Sequence, residues 1–445
     1  MKIIIVGTNH AGIAVAKTLL EHYPGKELLM IDSNSNMSYL GCGTAIWVGR
    51  QIEKNDELFY AHPEDFTQKG ARLLLETAVD GIDFQNKTIH MKNKDGNEFT
   101  ESYDKLVLAT GSRPIIPPIP GKDLKGIHYL KLFQEGLALD QEFSKDEVKR
   151  VAVIGAGYIG TEITEAAKRR GKEVLLFDAA ANSLASYYDP EFAAGMDENL
   201  KAHGVELHFG ELASEFQGED GRVKRLITNK ASYDVDLIIN CIGFTANAEL
   251  GKDHLETFAN GAYLVDNHQR TSDPDVYAVG DCATIHSNAT GATAYIALAS
   301  NAIRTGIVAG HNIGGNVLDA VGVQGSNGIS IWGYNMTSTG LSLQAAERFG
   351  LEVEYSDFED LQRSWFLSDN EKVKIRIVYE KSSHRIVGTQ MASTSEIIAG
   401  NINMFSLAIQ EKLTIDKLAL LDLFFLPHFN SPYNYMTMAA LKVTP

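Results

Sequence analysis

The chain opens on an apolar run, KIIIV (2–6), followed by a glycine-rich turn, apolar residues at helical spacing, and a second apolar run, ELLMI (27–31). Two short apolar runs flanking one helical repeat predict a βαβ unit with buried parallel strands. The alternation returns at 150–178, where RVAVI, a helical repeat and EVLLFD succeed one another. Further buried-strand patterns lie at YDKLVLATG (103–111), YDVDLIINCIG (233–243) and VYAVGDCA (276–283). Between the first two, the proline-rich stretch RPIIPPIPG (113–121) predicts a crossover at a domain boundary. Past about residue 320 the pattern shifts: KVKIRIVYEKSSHRIVGTQMAS (372–393) alternates like a hairpin turning near Ser382 and Ser383, and IIAGNINMFSLAIQEKL (397–413) has helical spacing.

Both βαβ turns carry glycines at informative spacing. In the first, Gly7-x-Asn9-x-x-Gly12 matches the dinucleotide fingerprint except that Asn9 replaces the middle glycine. The first glycine permits a tight turn, the last lets helix and strand pack, and a pyrophosphate then rests on the N–H groups at the helix start. Asp32, twenty residues past Gly12, is placed for ribose hydroxyls. In the second, Gly155-x-Gly157-x-x-Gly160 is complete and Asp178 closes the next strand. An acid there favours the free 2′-hydroxyl of NADH over a 2′-phosphate. Two fingerprints in one chain predict an α/β fold with two Rossmann-like nucleotide-binding domains, one for a flavin dinucleotide and one for a nicotinamide dinucleotide. Glu162 follows the second fingerprint within reach of a dinucleotide, and the carboxylate of Asp281, after the strand at 276–279, is placed for a ribityl hydroxyl.

Composition narrows the class. At 445 residues, with 44% apolar and 22% charged residues, the chain reads as a multidomain globular enzyme. A formal charge of −17 disfavours nucleic acid or an anionic membrane as partner. No apolar run approaches the ~20 residues that cross a bilayer, and MKIIIVG reads as a first strand rather than a leader. Cys42, Cys241 and Cys282 are far apart with no CxxC pair, so neither a disulfide scaffold nor a metal site is expected, and the cytoplasm is the expected compartment. Cys241 and Cys282 read as buried hydrophobes of apolar strands. Cys42, in SYLGCGTAIW, stands at the start of a helix predicted over about 42–50, where the dipole and free N–H groups would lower its pKa. Gly41 and Gly43 would let a flat ring approach. With no second cysteine four or five residues on, a lone thiolate there would cycle through sulfenic acid or a mixed disulfide.

The order GTNHAG, SYLGCG, ATGSRP, GAGYIG, CIGF and AVGDCA resembles the single-cysteine branch of the pyridine nucleotide–disulfide oxidoreductases, over essentially the whole chain. Within that branch LGCGTAIW, GVQGSNGISIWG (322–333) and LFFLPHFNSPYNY (423–435) are most similar to the water-forming NADH oxidases. The resemblance implies an FAD-binding domain in two parts, 1–114 and 243–320, an NAD-binding domain, 115–242, and a C-terminal α/β dimerisation domain, 321–445, that builds a homodimer. For FAD it implies Gly7, Asn9, His10, Ala11, Gly12, Asp32 and Cys42 in the first part. Val79, Ala109, Thr110, Gly111, Ser112, Lys131, Asp281 and Ala299 complete that set, and Phe425 would reach the flavin pocket of the other subunit. For NADH it implies Gly155, Gly157, Ile159, Gly160, Glu162 and Asp178, with Gly243, Ala297 and Gly328 as small residues near the cofactor. Tyr187 resembles the aromatic that shields the flavin and swings as NADH enters.

The activity so implied is reduction of dioxygen to water by NADH through FAD, with Cys42 cycling between thiolate and sulfenic acid and His10 as its hydrogen-bond partner and proton relay. An NADH peroxidase would need the same sulfur. A coenzyme A–disulfide reductase would need paired C-terminal tyrosines, and at one of those places the chain has Phe424-Phe425. A flavoprotein redox sensor is the reading from a different class.

Overall fold

The computed structural model describes residues 1–443. Its first apolar run forms the strand Lys2–Val6, paired in parallel with Glu27–Ile31 on one side and Lys105–Leu108 on the other. Arg72–Leu74 and Val276–Ala278 complete a five-stranded parallel sheet. The connecting helix His10–His22 lies against the helix Ala299–Gly314. Two glycines set how closely: a Cβ on Gly306 would stand 2.5 Å from the Ala11 carbonyl oxygen, and one on Gly310 2.7 Å from Thr18 Cβ.

A second five-stranded parallel sheet is centred on Arg150–Ile154, flanked by Glu173–Asp178 and Leu237–Asn240, with Glu206–Phe209 and Ile127–His128 at its edges. The chain passes between the sheets through two short antiparallel strands, Ser112–Pro114 and Phe244–Ala246. An antiparallel three-stranded sheet starting at Thr77–Asp83 joins the first unit beside Asp32, whose carbonyl accepts from Thr77 N at 2.9 Å.

The third unit is an antiparallel sheet in the order Asn327–Ile331, Tyr334–Gly340, Ile386–Ser393, Lys372–Glu380, Val353–Leu361. The hairpin and helix expected from periodicity are present as Lys372–Glu380 with Ile386–Ser393, and as Ile397–Gln410. Their alternating residues bury Val373, Ile375 and Ile377 against Ile402, Phe405 and Ile409. Ile329, Ile331 and Met336 share a core with Val151, Val153 and Leu176, so the third unit packs on the second. The α/β class of two nucleotide-binding-type sheets with a C-terminal α/β unit is thus the observed one. Among the described residues no helix is long and apolar enough to cross a membrane.

The helix expected over about 42–50 is shorter. A 3-10 turn, Gly41–Gly43, leads into Thr44–Val48, which stops where Gly49 meets another helix: a Cβ there would lie 3.1 Å from Ala166 Cα.

Candidate active site

The two βα turns are built alike. Gly7 and Gly155 have φ of +111° and +97°, a region open to glycine and costly to other residues. A Cβ on Gly12 would lie 1.9 Å from the Gly7 carbonyl oxygen, and one on Gly160 1.8 Å from that of Gly155, so helix and strand touch through bare backbone. Asp32 accepts from Thr8 N at 2.7 Å and Asn34 N at 2.8 Å; Asp178 accepts from Ala156 N at 2.6 Å and Ala180 N at 2.7 Å. Each acid is therefore fixed at the rim of its turn. A Cβ on Gly157 would meet nothing within 4 Å, which explains how Asn9 can occupy the matching place in the first turn, where its amide donates to Tyr39 O at 3.0 Å.

Both helices are suited to dinucleotides. Neither His10–His22 nor Tyr158–Arg169 has a side-chain cap or an acid in its first turn. Each leaves its N-terminal N–H groups and positive dipole end for an external anion. Near the first turn, Ser112 Oγ donates to Asp281 Oδ2 at 2.8 Å, and Lys131 Nζ reaches Ser112 Oγ at 2.9 Å and Asp281 Oδ2 at 3.0 Å. A lysine, a hydroxyl and a carboxylate gathered beyond the parallel strands offer both donors and acceptors to a polyhydroxyl chain. The residues fit FAD in the first unit and NADH in the second. Ala109, Thr110 and Gly111 line the end of strand Lys105–Leu108, Ala11 follows His10, and Ala299 opens the helix Ala299–Gly314. Val79 is half-buried on the neighbouring sheet.

Cys42 is exposed, in the Gly41–Gly43 turn. Its thiol is pushed up, not down as the helix start implied. Partial burial is the largest cause, the Glu162 carboxylate adds to it, and backbone N–H groups at Cys42 and Gly43 only oppose it. A three-residue turn before a five-residue helix offers little dipole. Gly43 serves packing more than ring access, since a Cβ there would sit 2.3 Å from Leu58 Cδ2. Tyr39, beside Cys42, bonds through its hydroxyl to Thr44 Oγ1. His10 makes no hydrogen bond to Cys42. Its Nδ1 lies 2.9 Å from Tyr60 Oη, with the two rings stacked. Burial lowers its pKa, Asp281 opposes this and Lys131 assists it. Burial also holds the Tyr60 phenol at about 12, so it stays protonated. No sequence signal marked Tyr60.

On the nicotinamide side, Glu162 is not a solvated helix residue: burial, then Glu165, raises its carboxyl to about 7. Tyr187 meets Tyr158 edge-on with ring centres 4.5 Å apart. Tyr158, inside the GAGYIG motif, bonds through its hydroxyl to Asn327 Oδ1, beside Gly328. Ile159 packs against the core that the second and third units share; Gly243, at φ +115°, immediately precedes the strand Phe244–Ala246; Ala297 is exposed before the helix Ala299–Gly314. Phe425 lies half-exposed on the C-terminal segment, and its assigned place needs a second copy. Cys282 is buried and Cys241 half-buried, and burial drives both thiols up. Among the described residues no group of three or more His, Cys, Asp or Glu is arranged to hold a metal.

The profile of the family "pyridine nucleotide-disulphide oxidoreductase" matches residues 1–306, and that of its dimerisation domain residues 329–436. An NADH oxidase of Lactococcus lactis subsp. cremoris is 74% identical over 99% of this chain and 100% of its own length. One from Streptococcus pyogenes is 49% identical over 99% of both. The solved structure of a water-forming NADH oxidase from Lactobacillus brevis, bound to NADH, superposes with a TM-score of 0.96 at 37% identity, covering 99% of this chain and 98% of that one.

Proposed function

Since the chain belongs to the pyridine nucleotide-disulphide oxidoreductase family, we infer that it is an FAD-dependent NADH oxidase that reduces dioxygen to water in the cytoplasm. The observation that carries this reading is the position of Cys42. Its electrostatic neighbours come from both nucleotide units, Tyr39 from the first and Glu162 from the helix that opens the second.

FAD, when bound, supplies a two-electron carrier between NADH and the oxygen species. The chain's own residues do the rest. Asp32 and Asp178 take ribose hydroxyls, and the N-termini of His10–His22 and Tyr158–Arg169 hold the pyrophosphates. Lys131, Ser112 and Asp281 fix the ribityl chain. The Cys42 thiol, which burial and Glu162 keep protonated at rest, gives up its proton as it reacts. As thiolate, Sγ takes one oxygen atom from hydrogen peroxide, the O–O bond breaks, the other oxygen leaves with that proton as water, and Cys42 becomes sulfenic acid. Two electrons and a proton from a second NADH cleave the S–O bond, return the thiolate and release water. His10, kept neutral by its lowered pKa and oriented by Tyr60, takes up a proton as a base and passes it from the imidazolium to the oxygen being reduced. Dioxygen is the oxidant and a homodimer the working form.

Cys42→Ser in the FAD-loaded enzyme tests this. Oxygen uptake should continue while hydrogen peroxide accumulates at about one per NADH consumed. Water formation unchanged from wild type would remove Cys42 from the mechanism.

A further inference from the structure

Tyr187 stands on a loop that the C-terminal unit holds from two directions. Among the described residues its hydroxyl makes no hydrogen bond, so packing against its neighbours places its ring. On one flank, Asp189 starts the helix Pro190–Ala202 but does not cap it with its side chain. The carboxylate, 1% exposed, is spent across the domain boundary instead. It accepts from Leu343 N at 3.0 Å, Gln344 N at 3.1 Å, Gln390 Nε2 at 2.6 Å and Arg376 Nη1 at 3.2 Å. Asp189 N in turn donates to Gln390 Oε1 at 2.8 Å. Arg376 is anchored on Asp357 at 2.8 and 2.7 Å.

On the other flank, Tyr158 packs edge-on against Tyr187, and its hydroxyl bonds to Asn327 Oδ1, which also accepts from Ser338 Oγ at 3.0 Å. Tyr188, next in the chain, lies 2.9 Å from Tyr158 through the two hydroxyls and closes the ring of contacts. An N-cap aspartate usually serves its own helix. Here both it and the tyrosine pair are committed to the C-terminal unit, Asp189 to its sheet and to the start of the helix Leu343–Arg348, and such a buried network specifies geometry as well as stability.

We propose that the C-terminal sheet positions Tyr187 through Gln390 and Asn327, so that affinity for NADH is set from the dimerisation domain. This rests on the reading of Tyr187 as the aromatic that shields the flavin and swings as NADH enters. Neither Gln390 nor Asn327 touches the reacting atoms; both are positioning residues.

The test uses the FAD-loaded enzyme with Gln390→Leu, Asn327→Ala and Tyr187→Ala, singly, and the double variant Tyr187→Ala with Gln390→Leu. Gln390→Leu keeps the volume and leaves Asp189 three donors, and Asn327→Ala gives a second route should the first not fold. The expected result is a KM for NADH raised roughly 3–10-fold in each positioning variant with kcat within about two-fold. The double variant should rise no further than Tyr187→Ala alone, because the network has no ring left to place. A purely structural role would lower the melting temperature with KM unchanged, or add its effect to that of Tyr187→Ala; either overturns the proposal. Tyr187→Ala with wild-type KM would instead overturn the reading of Tyr187, and the positioning claim with it.

Discussion

Glu162 shows how single residues acquire chemistry from packing. Its carboxyl is raised from 4.5 to about 7, first by burial and then by Glu165. Below about pH 4.5 it is protonated folded or unfolded. Between about 4.5 and 7 the unfolded chain gives up the proton and the folded chain keeps it, so the folded state binds more protons and stability falls as pH rises. Glu162→Gln removes that slope. In the FAD-loaded enzyme without NADH, denaturant melts should show the variant more stable than wild type by about 1–3 kcal/mol at pH 8 and equal to it near pH 4.5. Equal stability at both pH values would mean that the carboxyl is solvated. The motif residues were legible in the sequence because their logic is local: Gly7, Gly12 and Asp32 belong to one turn and its next strand. The direction of the Cys42 shift was not, because it depends on burial and on Glu162, which a different domain brings in.

At the scale of elements, the two βαβ turns separate glycines that build from glycines that leave room. The Gly160 Cα faces the Gly155 carbonyl, where a Cβ would be 1.8 Å away, whereas Gly157 faces open space. Gly160→Ala should force helix Tyr158–Arg169 off its strand and cost about 1–3 kcal/mol as overpacking. Gly157→Ala should leave the melting temperature within about 2 °C of wild type while weakening NADH binding, because its methyl would enter the open space proposed for the pyrophosphate. Thermal melts with an NADH titration check both, and equal destabilisation by the two variants would refute the distinction. Periodicity disclosed these elements because each strand is apolar on both faces and each helix on one. It overestimated the helix after Cys42, because Gly49 ends it against Ala166, a contact that no local pattern contains.

For the whole molecule, the surface of the third unit is the informative feature. Trp365 is 83% exposed, Leu420 81% and Phe424 69%, with Phe366, Phe429 and Tyr433 also open to solvent. The segments that carry Trp365, Phe366, Phe424 and Phe429 are tied together: Gln362 Nε2 donates to Phe429 O at 2.5 Å, Asn430 Nδ2 to Phe424 O at 2.8 Å, and the rings of Phe424 and Phe429 meet edge-on. A lone chain gains nothing from such a band in water, whereas burying each large apolar side chain contributes about 1.5–3 kcal/mol. A second copy is the partner that the dimerisation domain supplies, and an isologous contact would bury the band of both chains at once. Phe424→Glu with Phe429→Glu places charge on that band without touching either dinucleotide turn. Sedimentation should show the variant as a monomer of unchanged secondary structure. FAD retention on dilution should fall with it, because Phe425 in the same segment is then withheld from the other subunit's flavin pocket. A variant that stays dimeric would locate the contact elsewhere, and a monomer that keeps its FAD would detach Phe425 from the flavin.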